Sequence, residues 1–173
     1  MLLLALFLAA EAPATSGDVL APARAGMIQC YQPDAQARTC RSMAAYRHID
    51  GMRYVNIARV LLSPGSAVTL ETETDVVVRN GAVCGAITAD SLAHGILRVG
   101  DRALNAEQAS PTLGKIQQAM AAVVGKEICT SYVRSADGFI ATATLDGAAM
   151  PGERQHVIWV RPADGYVVAP PPQ

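Results

Sequence analysis

Three carboxylates, Glu71, Glu73 and Asp75, sit two residues apart within an alternating run from Val68 to Val78. Converging carboxylate oxygens are what a Ca²⁺ ion requires. On a strand, however, side chains two apart share a face but fan out along it. No Asp-x-Asp-x-Asp-Gly loop accompanies them, so the three acids read as the wetted face of a strand, where charge also discourages edge-to-edge pairing. The histidines, His48, His94 and His156, show neither H-x-x-x-H nor H-E-x-x-H spacing. His48 reads as a surface residue opposite Arg53 beside a turn. His94 precedes Gly95 at a helix end, where a cation suits the dipole. His156 shares a strand face with Ile158 and Val160, as a satisfied, partly buried group. G-x-S-x-G and S-x-x-K signatures are absent, as is any Gly-rich phosphate-binding turn. No catalytic, metal-binding or cofactor-binding residue is assigned on these patterns.

The cysteines carry a clearer message. Cys30, Cys40, Cys84 and Cys129 include no C-x-x-C pair, which removes local support for a redox or zinc site. Four cysteines in an oxidising compartment imply two disulfides. The preferred pairing closes a small polar loop with Cys30–Cys40 and ties distant strands with Cys84–Cys129. The aromatic residue best suited to anchor a partner is Trp159, which lies opposite His156 on its strand. With Arg161 it forms an interface centre if that face is exposed; if the face is buried, Trp159 is the largest filler of the core.

An oxidising compartment fits the start of the chain. Leu2 to Ala10 is an apolar run too short to span a bilayer, followed by Ala12-Pro13-Ala14, a small-x-small cleavage pattern. The sequence predicts a signal peptide over 1–14, with Ala23-Arg24-Ala25 as a later alternative site, and a flexible leader over 15–26. No membrane span is expected in the mature chain. The 14 basic and 15 acidic residues nearly cancel, so a nucleic-acid partner is not expected. The length of 173 residues, 51% of them hydrophobic, is enough for one domain with a real core, placed at 27–169, and 170–173 is a frayed tail.

The elements that must position these residues are mostly strands. Asn80-Gly81 supplies the two positive-φ residues of a type I′ turn, making Val68–Ile87 a hairpin, and Asp50-Gly51 signals a second turn of that kind. Further strand runs occupy Met27–Tyr31, Glu127–Arg134, Phe139–Leu145, Arg154–Arg161 and Tyr166–Ala169. One main helix, about 105–124, starts at Asn105 with Gln108 completing a capping box and ends at Gly125. The block from Cys40 is echoed from Cys129, either as a duplication into two four-stranded units joined by the helix or as two unrelated hairpin pairs that reuse the same turn chemistry. The expected fold class is α+β, with antiparallel hairpins and meanders, the helix packed on the sheet, and two disulfides. The function expected is that of an exported, periplasmic or secreted, non-catalytic binding or inhibitory module presenting a sheet face to another envelope or secreted protein. The alternatives are a small hydrolase-like enzyme with a dispersed site, and a structural cell-envelope protein.

Overall fold

A computed structural model describes residues 18–63, 65–150, 152 and 154–171. The predicted signal peptide and the last two residues of the tail lie outside the described residues. In chain order the elements are α1 (Ala21–Arg24), β1 (Ile28–Tyr31), β2 (Thr39–Cys40), β3 (Ser42–Asp50), β4 (Arg53–Leu61), β5 (Val68–Arg79) and β6 (Ala82–Ala86). There follow α2 (Ala89–Ala93), β7 (Ile96–Val99), β8 (Arg102–Ala103) and α3 (Ala106–Ala119). The last third holds β9 (Glu127–Ser135), β10 (Gly138–Leu145), β11 (Ala148–Ala149), β12 (Gln155–Val160) and β13 (Val167–Val168).

Eight of these strands close into an antiparallel barrel in the order β1-β3-β4-β5-β6-β9-β10-β12, with β12 pairing back onto β1. The fold is therefore mostly β with a few helices, which fits the expected α+β class loosely. The antiparallel meander closes into a barrel that the sequence did not announce, and it is not split into two four-stranded units. In an up-and-down order each long strand already lies beside its neighbours in sequence. A single further pairing, β1 with β12, abolishes both edges. The echo between the Cys40 and Cys129 blocks falls within one continuous barrel and marks no boundary between two units.

Strand alternation divides inside from outside. On β5, Leu70, Thr72, Thr74 and Val76 face the interior, whereas Glu71 and Glu73 face outward and pair with Arg59 and Arg47. The β5–β6 turn has Asn80 at φ 51° and Gly81 at φ 74°, as a type I′ turn requires. The β3–β4 turn differs from the expected one. A register shift falls between His48 and Asp50, only Gly51 has positive φ, and His48 comes to face Tyr54 rather than Arg53.

Each barrel end is closed by a segment outside the meander. At one end Leu20, fully buried, and Ala23 of α1 pack on Tyr54, Val78 and Val83. Tyr54 Oη donates to Asp18 Oδ2 at 3.0 Å and accepts from Arg24 Nη1 at 2.6 Å, while Arg24 also pairs with Asp18. The stretch read as a flexible leader is thus, from Asp18 onward, the plug of the barrel. At the other end α2 and α3 bring Leu92, Ala109, Leu113, Ile116 and Met120 against Leu70 and Leu97. The main helix therefore caps the barrel instead of lying along the outside of the sheet. It starts at the Asn105–Gln108 capping box but stops at Ala119, short of 124. Beyond it the chain tightens into turns, with Ala121 N donating to Gln118 O and Val123 N to Met120 O.

Both disulfides lie on the outer wall: Cys30–Cys40, and Cys84–Cys129 between residues directly opposite each other on β6 and β9. The second joins the two strands between which the chain departs to build the cap. Their sequence separations of 10 and 45 residues correspond, in the chain-entropy picture, to about 3 and about 4 kcal/mol. Replacing Cys84 and Cys129 together by Ser should lower the unfolding free energy by roughly 4 kcal/mol, more than the Cys30/Cys40 double variant loses. Urea titration of the oxidised variants measures both.

Candidate functional site

Between the plug and the cap lies an interior cavity of about 290 Å³. Val76, Val83, Tyr46 and Tyr132 border it from the plug cluster, and Val60, Leu70, Ile87, Leu92 and Met120 from the cap cluster. Its middle is lined by Tyr31, Asn56, Ala58, Thr72, Thr74, Gly85, Ile128 and Thr130. None of the lining residues carries a formal charge.

The polar groups are concentrated around one buried amide. Gln29, 1% exposed on β1, offers its Oε1 to Tyr46 Oη at 2.8 Å, Tyr31 Oη at 2.9 Å and Tyr132 Oη at 3.3 Å. The Tyr31 and Tyr132 hydroxyls also meet at 2.7 Å. Three separate strands, β1, β3 and β9, converge here because each turns a tyrosine inward. Burial raises the pKa of all three phenols, carrying those of Tyr31 and Tyr46 well above the ordinary value. Asn56, the cross-strand partner of Tyr46, adds a second amide, and its Oδ1 is sealed from solvent without a hydrogen-bond donor.

The wall beside the cavity is interrupted. The first part of β5 pairs with β7 and the last part with β6, so Thr72–Asp75 pair only with β4. Thr72 and Thr74 line both the interior cavity and an open outer groove rimmed by Glu73, Asp75, Thr88, Asp90, Ser91 and His94.

The residues singled out in the sequence fall elsewhere. Glu71 is engaged by Arg59 at 2.6 Å and by Arg98 at 3.8 Å, and Glu73 by Arg47 at 3.5 Å. Among the described residues no three His, Cys, Asp or Glu side chains converge as a ligand set. His94 caps α2 on the surface beside Asp90, and His156 faces outward, 3.1 Å from the carbonyl oxygen of Asp137. Trp159 turns inward against Tyr46, ring centroids 6.4 Å apart, because it shares parity with Val157 and stands opposite Gln29. Arg161 remains on the surface with Asp164, so the two do not form an exposed interface centre. The sequence offers no register with which to bring Tyr31, Tyr46 and Tyr132 together, and neither Gln29 nor Asn56 stands out in it.

The tyrosine cluster makes a titration prediction. A phenol held above its ordinary value of 10.0 in the fold stabilises fully below that pH, and the contribution is lost as pH rises through the folded value. Phenolate absorbance should therefore show Tyr31, Tyr46 and Tyr132 still protonated where the unfolded chain has ionised. The unfolding free energy should decline above about pH 10. Tyr→Phe variants assign each phenol.

No protein-family model, curated protein or solved structure that was compared matches this chain.

Proposed function

We propose that this protein is an exported, non-catalytic binding protein that encloses one small, mostly apolar molecule inside its barrel. The observation that carries this reading is the cavity of about 290 Å³, apolar toward the cap and lined by tyrosines toward the plug. That volume is close to the lower end of small-molecule pockets, which combine apolar walls with a few convergent polar groups. An eight-stranded barrel has an interior suited to side chains or to one small ligand. The two disulfides suit an oxidising compartment, and no described helix is long and apolar enough to cross a membrane.

On this reading binding lies inside the barrel rather than on a presented sheet face, and the inward packing of Trp159 against Tyr46 supports it. A hydrolase-like site would want a histidine beside a carboxylate in a deep pocket. His94–Asp90 and His156–Asp137 are the pairs that come closest, and neither lines the interior cavity. The gap at Thr72–Asp75 offers a route from the outer groove to the interior.

Titration of the oxidised protein with N-phenyl-1-naphthylamine, an uncharged apolar fluorophore, tests the reading. The expected outcome is a saturable one-site rise in emission. Ala58→Leu, which fills the cavity from β4, should weaken binding by about tenfold or more while the near-ultraviolet dichroism is kept. Failure of the unsubstituted protein to saturate would remove the basis for a ligand-binding barrel.

A further inference from the structure

Resting on that reading, the geometry points to the class of ligand: an uncharged, largely apolar molecule bearing a hydroxyl group, seated with the hydroxyl against Asn56 and the tyrosine cluster. Charge is the first filter. No Lys, Arg, His, Asp or Glu lines the cavity, so a carboxylate or an ammonium would enter without a counter-ion and lose its hydration. The groove outside the gap adds to this for anions. Its rim bears Glu73, Asp75 and Asp90, with Glu71 nearby, against Arg47 and His94.

Hydrogen-bond accounting is the second filter. The cluster contains three phenolic protons. If Tyr31 donates to Gln29, then Tyr46 also donates to Gln29 and Tyr132 donates to Tyr31. If Tyr31 instead donates to Tyr132, then Tyr132 turns its own proton to Gln29. Either way all three protons are used within the protein, and what the phenols still offer is lone pairs. Asn56 Oδ1, facing Tyr46 across β3–β4, is a further buried acceptor that nothing in the protein satisfies. An unmet buried acceptor is costly, so a ligand whose donor meets Asn56 Oδ1, once that side chain turns toward the cavity it lines, gains more than one without a donor. The rest of such a molecule would lie along Val60, Leu70, Ile87, Leu92, Met120 and Ile128.

Displacement of bound N-phenyl-1-naphthylamine by three molecules of similar length separates the possibilities. 1-Decanol supplies a donor, nonyl methyl ether is its isomer with an acceptor only, and decanoate carries a charge at neutral pH. The expected order is alcohol, then ether at about tenfold higher concentration, then decanoate weaker still. Asn56→Leu and Tyr46→Phe should each narrow the alcohol-to-ether ratio, a comparison internal to each variant and independent of its affinity for the fluorophore. Decanoate displacing as well as decanol, or equal alcohol and ether, would overturn the assignment. If the fluorophore binds but none of the three displaces it, the assigned class falls while the cavity reading stands. If the fluorophore itself does not bind, the cavity reading fails with it.

Discussion

Closure of the barrel through β1 is the constraint on which the rest of the structure depends. An eight-stranded meander left open would expose hydrogen-bonding edges on β1 and β12, and β1, already paired with β3, removes both by pairing with β12. The strand is short, and its alternation is used in both directions. Gln29 and Tyr31 turn inward to the phenol network, while Cys30 turns outward to its disulfide with Cys40. Outside, the Cys30–Cys40 bridge lies under Ile28, Met43, Ile158 and Tyr166, and β13 pairs parallel with β2 beside it. The chain's first barrel strand and its last segments are thereby held at one place.

The seam between β6 and β9 is the counterpart. The meander is interrupted there by a long excursion that forms α2, β7, β8 and α3, and Cys84–Cys129 fastens the two strands at its root. Cap and plug are thus both supplied by segments that are not barrel strands. Each brings its own apolar cluster, and the two clusters stop short of meeting. The tyrosines and Gln29 between them are held by mutual hydrogen bonds, which lets a polar group persist in the barrel without the desolvation cost of an unpaired one.

How much of this was readable from the sequence depended on the range of the signal. The alternation on β5, the Asn80-Gly81 turn and the Asn105–Gln108 box are local patterns, and each has its counterpart in the structure. Closure left no local mark, because the pairing of Gln29 with Trp159 joins residues near opposite ends of the chain. The plug was hidden for a different reason. Leu20 is one apolar residue among small ones, and its burial comes from the barrel end it fills rather than from any periodicity of its own. Tyr31, Tyr46 and Tyr132 were visible as residues, but their meeting point is set by three strand registers at once. Inward-facing tyrosines and a Gln on predicted strands were the one available hint of a polar interior.

The interruption of β5 shows how a local rule creates the feature most relevant to function. Thr88 accepts a hydrogen bond from Ser91 N, and Ser91 Oγ accepts one from Thr88 N, so the chain is committed to a helix immediately after Ile87. β6 therefore ends at Ala86, too soon to accompany all of β5, and the chain comes back only as β7, which pairs with the other end of β5. Thr72–Asp75 are left with an unpaired edge in the wall of an otherwise closed barrel. Such an edge invites another strand unless charge stands beside it, and Glu73 and Asp75 are among the residues at its rim. The acidic alternation that first suggested a metal site is thus placed where it protects an opening, and that opening lies against the threonines of the interior cavity.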